Sequence, residues 1–322
     1  MNDMDIVFIG SAILDSIIKG FDPKPVSSAG YRAESGTLNA GGEAVNGSIA
    51  AAKLGMKTAI LCSLGNDDAG GIIEADLKKY GVDTSRIAKS DERPTPVTTI
   101  FVSEDGERMS ITNNAHKNNF HPERFEASFT DAKAIVIGSL FRAPFNDARV
   151  VRDVVRAAAA NDVLVIADTK LPNFAVLGLD DLADSLPYVD FITPNEAEAK
   201  YYTGEEDPEK MADVFLSKGV RNVIIKLGGK GCFFKNSRES VFMPAFSIDT
   251  VDATGAGDNF LAGFVSEIIR GSSVRDALTF ACACGAICST AVGSGTSLRD
   301  RQQVIDFINE KQAEKPACDG EK

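Results

Sequence analysis

Short β-branched runs alternate with helix-period stretches along most of this chain, and that alternation limits it to one broad architecture. Asp5–Ile9, Thr58–Ser63, Ala134–Gly138, Val163–Asp168, Phe191–Thr193 and Asn222–Leu227 are brief, apolar and rich in Val and Ile, the signature of buried strands. Between most of them lie amphipathic stretches over Ala44–Leu54, Ala69–Tyr80, Asp147–Ala160, Glu196–Tyr202 and Pro208–Lys218. Gly55, Gly81 and Gly219 stand where three of these helices must stop, because glycine tolerates the left-handed turn that closes a helix. Strand–helix alternation predicts βαβ units, so the expected fold is α/β, a mostly parallel sheet flanked by helices. Ligands of such sheets bind beyond the carboxyl ends of the strands.

Two stretches break the rhythm. Ser16–Leu38 carries no helical pattern, and Pro94–Thr112 alternates through Val97–Ser103, a turn at Glu104-Asp105-Gly106, and a return to Thr112, which reads as a hairpin. Together they predict a small β-sheet lid, built from about 16–38 and 94–112; an antiparallel edge of the main sheet is the alternative. Beyond residue 250 the periodicity predicts helices over Ala256–Arg270, Val274–Ala291 and about Leu298–Gln312. With no repeat and no clean linker, the expectation is a single domain over 1–312 and a polar, disordered tail over 313–322.

Charge and cysteine usage narrow the function. A net charge of −12 suits neither a general nucleic-acid binder nor a protein of anionic membranes. Apolar runs fall far short of the ~20 residues that a spanning helix needs. The first apolar run is flanked by Asp3 and Asp5 rather than by the basic residues of a secretory signal. Six Cys in 322 residues do not make a disulfide framework, so a reducing, cytoplasmic setting is expected. Cys282 and Cys284 would point about 200° apart on a helix, which favours small core residues over three ligands on one metal. His116 and His121 are the only histidines and sit in a polar stretch that reads as loop.

The chemistry concentrates in Asp252-Ala253-Thr254-Gly255-Ala256-Gly257-Asp258-Asn259-Phe260. Small residues allow a tight turn, and the helical spacing that follows would leave the N–H groups of Gly255, Ala256 and Gly257 at a helix N-terminus, an anion hole. Asp258 stands beside it as a candidate general base for moving a phosphoryl group to an alcohol. The helix dipole predicts a low pKa for it. A dinucleotide fingerprint would require Gly at 260, where this chain has Phe260, and no Walker A loop exists, since Lys230 is followed by Gly231. Taken alone, a glycine-rich turn with an acidic cap is more often structural than catalytic.

Support comes from Asn39-Ala40-Gly41-Gly42-Glu43-Ala44-Val45-Asn46 and from Thr193-Pro194-Asn195-Glu196-Ala197-Glu198. With these three segments in this order and spacing, the chain resembles the PfkB family of carbohydrate kinases, the ribokinase-like fold. Ile9-Gly10-Ser11-Ala12-Ile13-Leu14-Asp15 resembles the family's first strand and Ile225–Gly231 its nucleotide-side strand and turn. The resemblance implies ATP and Mg²⁺ as cofactors, with K⁺ in some members. It makes Asp258, Gly255, Ala256 and Gly257 the catalytic group, and Asp15, Gly41, Gly42 and Asn46 the substrate contacts. Lys170 and Arg142 are further candidates for holding a phosphate or a substrate carboxylate. Asn195, Lys226, Gly228, Gly231 and Cys282 fall on the nucleotide side, although Cys282 replaces a small polar residue of the family. Glu198 would hold Mg²⁺ through water, and Asp252 with carbonyls near Gly293 would hold K⁺. The implied activity is ATP-dependent phosphorylation of a hydroxyl of a small sugar. A nucleoside kinase, with Phe101, Tyr31 or Phe120 as aromatic shelf, stays open. So do a keto-sugar-acid kinase, with Lys170, Arg142 or Arg32 as carboxylate partner, and a non-catalytic relative. The resemblance also implies a homodimer through the lid, with Val97–Val102 turning one face to the substrate and the other to a partner.

Overall fold

The computed structural model describes residues 4–20, 33–103, 108–113, 120–173, 177–294 and 296–314. The centre is an eight-stranded sheet. In chain order its strands are β1 (Met4–Ile9), β4 (Thr58–Leu61), β9 (Ala132–Leu140), β10 (Leu164–Thr169), β11 (Phe191–Ile192), β12 (Asn222–Lys226), β13 (Gly231–Asn236) and β14 (Ser240–Pro244). In space the order is β14-β13-β12-β11-β10-β9-β1-β4. From β4 through β12 neighbouring strands run parallel, and β13 and β14 return antiparallel at one edge. The alternation predicts the parallel part; the β13–β14 hairpin is not among the predicted strands.

Helices cover both faces. α1 (Glu43–Lys53), α6 (Ala256–Ile269), α7 (Val274–Cys288) and α8 (Arg301–Ala313) pack on one side with Phe8, Ile60, Phe264 and Leu278; α3 (Ala148–Ala160), α4 (Glu196–Thr203) and α5 (Pro208–Ser217) close the other with Ile9, Ile137, Val154 and Phe215. Asp67, Asp147, Asp207, Ser273 and Asp300 cap α2 (Asp68–Lys79), α3, α5, α7 and α8 through side-chain oxygens, and Asn195 with Glu198 forms a capping box on α4. Gly55, Gly81 and Gly219 have positive φ just past their helices, as expected. α7 ends at Cys288 rather than at Ala291, because the chain must turn to bring Gly293 back to Asp252.

The second sheet has four strands, β2 (Ile13–Lys19), β3 (Ser35–Gly41), β7 (Val97–Val102) and β8 (Arg108–Thr112), ordered β3-β2-β7-β8. It is separate from the main sheet, not an edge of it, and begins at Ile13 because Leu14 is buried against the body. β5 (Ser63–Gly65) and β6 (Ala88–Ser90) form a further two-stranded sheet. The turn at Gly106 and residues 21–32 and 315–322, within the predicted lid and tail, lie outside the described residues, as do Tyr31, Arg32 and His116. Among the described residues no helix is long and apolar enough to cross a membrane.

Candidate active site

Of the α-helices, α1 and α6 alone carry no side-chain cap in the described residues, and both start on a glycine. Gly42 has φ 96° and an added Cβ would lie 2.4 Å from Ser11 O; Gly255 has φ 77° and a Cβ there would lie 2.5 Å from Ser294 Cβ. Both positions therefore require glycine. The two uncapped ends converge, because Asn46 in α1 donates from Nδ2 to Asp258 Oδ2 at 2.7 Å and accepts at Oδ1 from Ser294 Oγ at 2.9 Å.

The anion hole differs from expectation in one member. Ala256 N–H already donates to Ala253 O at 3.1 Å, closing the turn that precedes α6. The N–H groups of Gly255, Gly257 and Asp258 have no acceptor among the described residues, so Asp258 supplies the third donor in place of Ala256. Lys226 adds positive charge: its Nζ would stand 3.6 Å from a Cβ on Gly257.

Asp258 itself departs from the dipole argument. Burial pushes its pKa up to about 6; Lys170 and the Asn46 bond pull it down, while Asp168 and Glu43 push it further up. Desolvation and like charge outweigh the helix terminus. The result is a carboxylate of useful basicity that is still largely ionised at neutral pH.

Lys170 sits where the expected strand end places it. Burial works against its charge, yet Asp168, Asp258, Glu198 and Glu43 more than offset that, and its pKa is raised. Asp168 is 2% exposed and pairs with Lys226 at 2.6 Å while accepting from Thr193 Oγ1 at 2.9 Å. Glu198 is 4% exposed, and its Oε2 takes bonds from Thr169 Oγ1 at 2.8 Å and from Asn195 N at 3.0 Å. Asn195 and Glu198 thus form a helix cap, with the acid turned inward. Arg142 is not brought to the base: its Nε donates to Leu171 O at 2.7 Å.

Asp15 lies on β2 opposite Asn39, its Oδ2 only 2.2 Å from where a Cβ on Gly41 would be. Burial raises its pKa to about 6, and no donor among the described residues bonds to it. The pairing register puts Asp15, Asn39, Thr98 and Thr112 on one face of the small sheet, and Ser16, Leu38, Thr99, Phe101, Met109 and Ile111 on the other. Phe101 therefore stands away from Asp15 and offers no shelf beside it. Phe120 lines a small cavity with Ser11 and Ser63, and His121 Nδ1 lies 3.0 Å from Glu123 Oε1, within hydrogen-bond reach.

A larger cavity of about 250 Å³ opens on the other side of the α6 N-terminus, against Lys226, Gly228, Gly231, Phe246, Gly257 and Cys282. Its shape depends on Gly231, where a Cβ would clash at 2.0 Å with Met243 O. Cys282 lies on the wall with Sγ 3.8 Å from Cys232 Sγ, so this surface is apolar. Asp252 accepts from Thr254 N at 3.0 Å and from Gly293 N at 3.1 Å, which joins the two predicted cation positions.

A buried carboxylate, open N–H donors and a lysine near two cavities are a set of groups suited to moving a phosphoryl group to an alcohol. The chain matches the pfkB family carbohydrate kinases over residues 3–301 and belongs to that family. It is 28% identical to the ribokinase of Haemophilus influenzae, over 83% of this chain and 87% of that one. It is 30% identical to the 2-dehydro-3-deoxygluconokinase of Bacillus subtilis, over 80% and 83%. The structure of Arabidopsis thaliana ribokinase complexed with ribose and ATP superposes with a TM-score of 0.81 at 25% identity, covering 95% of this chain and 98% of that one.

Three features of the site escape the sequence reading. Glu43 stands inside Gly41-Gly42-Glu43, where the motif leaves the position unspecified. Ser294 reaches Asn46 across the fold, and the Asp168–Lys226 pair joins residues 58 apart in the chain. Nothing local in the sequence marks either contact.

Proposed function

We propose that this protein transfers the γ-phosphoryl group of ATP to a hydroxyl, probed first as a primary alcohol, of a small sugar. The observation that carries the reading is Asp258 held by Asn46 at 2.7 Å beside the open N–H groups of Gly255 and Gly257. The acceptor hydroxyl lies between Asp15 and Asp258; as its oxygen bonds to phosphorus, its proton passes to an Asp258 carboxylate oxygen and ADP departs with the former bridging oxygen. Gly255, Gly257 and Asp258 N–H groups hold the developing charge, and Lys170 and Lys226 flank it. The 250 Å³ cavity takes the nucleotide, with Phe246 and Cys282 against its base.

The oxygen donors near Lys170 fit Mg²⁺, a hard cation that retains waters, with Glu198 as the residue that would hold it. Bound there, Mg²⁺ would neutralise phosphate charge. K⁺ would draw on carbonyls near Gly293, since the Asp252 carboxylate is already an acceptor for Thr254 and Gly293. Use of ATP and the five free, buried cysteines among the described residues fit a cytoplasmic setting.

On this reading residues 1–312 form one catalytic domain and the small sheet is its lid, with the Asp15 face toward the sugar. The opposite face exposes Leu38 at 57% and Ile111 at 61%, together with Met109, and a second lid would cover them in a homodimer. ADP release from MgATP should be tested across pentoses, hexoses, sugar phosphates, keto-sugar acids and nucleosides. Stimulation by none of them would overturn the kinase reading.

A further inference from the structure

The sugar end of the cleft carries two carboxylates, Asp15 and Glu43, that form no ion pair with a cation among the described residues. Asp15 has neither a hydrogen bond nor an ion pair among the described residues. Glu43 lies over Gly10 and Gly138, where added Cβ atoms would come within 2.8 Å of its Oε1 and 2.4 Å of its Cγ. Ser11 N–H donates to Glu43 Oε1 at 2.8 Å and fixes the carboxylate between the carboxyl ends of β1 and β9 and the start of α1. No Lys or Arg among the described residues forms an ion pair with it.

Among the described residues the nearby cations already have partners. Lys226 is paired with Asp168 at 2.6 Å, Arg142 Nε is bonded to Leu171 O, and Lys170 answers Asp168, Asp258, Glu198 and Glu43 together. A carboxylate in such a place is satisfied by hydroxyl donors, whose charge-assisted bonds are the strong ones. A second anion brought beside it meets like-charge repulsion.

We infer that the acceptor is an uncharged polyol, and that Glu43 is a specificity-determining residue that, with Asp15, binds hydroxyl protons and rejects acceptors carrying a carboxylate or phosphate. This rests on the kinase reading and narrows it, setting aside the keto-sugar-acid alternative. Glycine at 10 and 138 makes room for the Glu43 side chain, and the Ser11 bond holds it in the wall of the site.

The test uses the full chain with MgATP and matched acceptors: neutral aldoses and ketoses against the aldonic acid, 2-keto acid and phosphate of the same carbon skeleton. The neutral member should lead in kcat/KM by on the order of 10²-fold, the repulsion of two unit charges a few ångström apart in a partly solvated site. Glu43→Gln and Glu43→Lys should narrow that ratio about tenfold or more, chiefly through KM for the acid, while Glu43→Asp preserves it. A wild-type preference for the acid would overturn the inference even if the variants fail to fold, and so would a ratio unchanged in Glu43→Gln. Should no acceptor release ADP, the kinase reading fails, and thermal-shift protection by neutral against acidic ligands still decides the charge preference: stronger protection by the acid overturns it.

Discussion

Replacing Lys170 by Met tests the electrostatics of the site directly, because it removes a cation that opposes the upward push on Asp258. Burial, Asp168 and Glu43 raise the Asp258 pKa to about 6 while Lys170 lowers it. An opposite charge at this range shifts a carboxylate by one to three units, and access of water to the cleft favours the low end, about one unit. The sign is definite. The base works ionised, so activity is lost as pH falls through its pKa, and a higher pKa moves that loss upward. In Lys170→Met the acid limb should therefore move from about pH 6 toward about 7, and at pH 6 activity relative to its own plateau should fall about five-fold. Asp15 complicates the wild type, since its pKa also lies at about 6. Its shift comes from burial alone, so the logarithmic kcat/KM profile should begin with a slope approaching two and split into two limbs in the variant. The assay is initial ADP release from pH 5 to 9 at fixed free Mg²⁺, fitted for limb position and not for height. A limb that stays in place, or moves to lower pH, would refute the assignment of Lys170 as the charge that controls Asp258.

Asp258→Asn should cut turnover about 10²–10⁴-fold, the usual loss for a general base, while equilibrium binding of sugar and nucleotide persists; near-normal turnover would remove Asp258 from its role. Asp15→Ala should raise KM for the sugar far more than KM for ATP, since the carboxylate stands against Gly41 on the small-sheet side of the cleft; the reverse pattern would mean that the two ends of the site have been exchanged. Exchanging K⁺ for Na⁺ at constant ionic strength should lower kcat if a cation sits near Asp252 and Gly293, and equal rates in the two salts would dismiss that site. Light scattering at micromolar concentration should give twice 34.2 kDa, falling to the monomer mass for Ile111→Lys; a concentration-independent 34.2 kDa in the unmodified chain would reject the lid-to-lid dimer.

The parallel core was legible because each strand carries its own signal: Val163–Asp168 or Asn222–Leu227 is too apolar and too β-branched to sit anywhere but in a covered sheet. The β13–β14 hairpin was not, since Gly231–Asn236 follows a glycine-rich turn and its Lys235 and Asn236 look like loop until Lys235 is paired with Ser240 and Asn236 N–H donates to Glu239 O. In the small sheet the alternation of Val97–Val102 was readable, but which of its side chains share a face with Asp15 was not. That follows from the register Asp15↔Thr98, which is a contact between segments 83 residues apart. Motif spacing singled out Asp15, Asn46, Asp258 and Lys226, while the bond between Asn46 and Asp258 depends on how α1 and α6 meet.

The pKa of Asp258 shows where local reasoning gives the wrong sign. The helix start that offers N–H groups to a phosphate ought also to stabilise an ionised Asp258, and judged on α6 alone that argument is sound. Asp258, however, points toward Asn46, and the neighbours that face it arrive from elsewhere: Lys170 from just past the end of β10, Asp168 two residues earlier in that strand, and Glu43 from α1. Two acids and the loss of water exceed the dipole and one lysine. The same acids hold Lys170 charged, so the cation needed near the phosphate and the basicity needed at the hydroxyl come from a single balance of charges. Removing any one of Glu43, Asp168 or Lys170 must then move both properties together, Glu43→Gln lowering the Asp258 limb where Lys170→Met raises it.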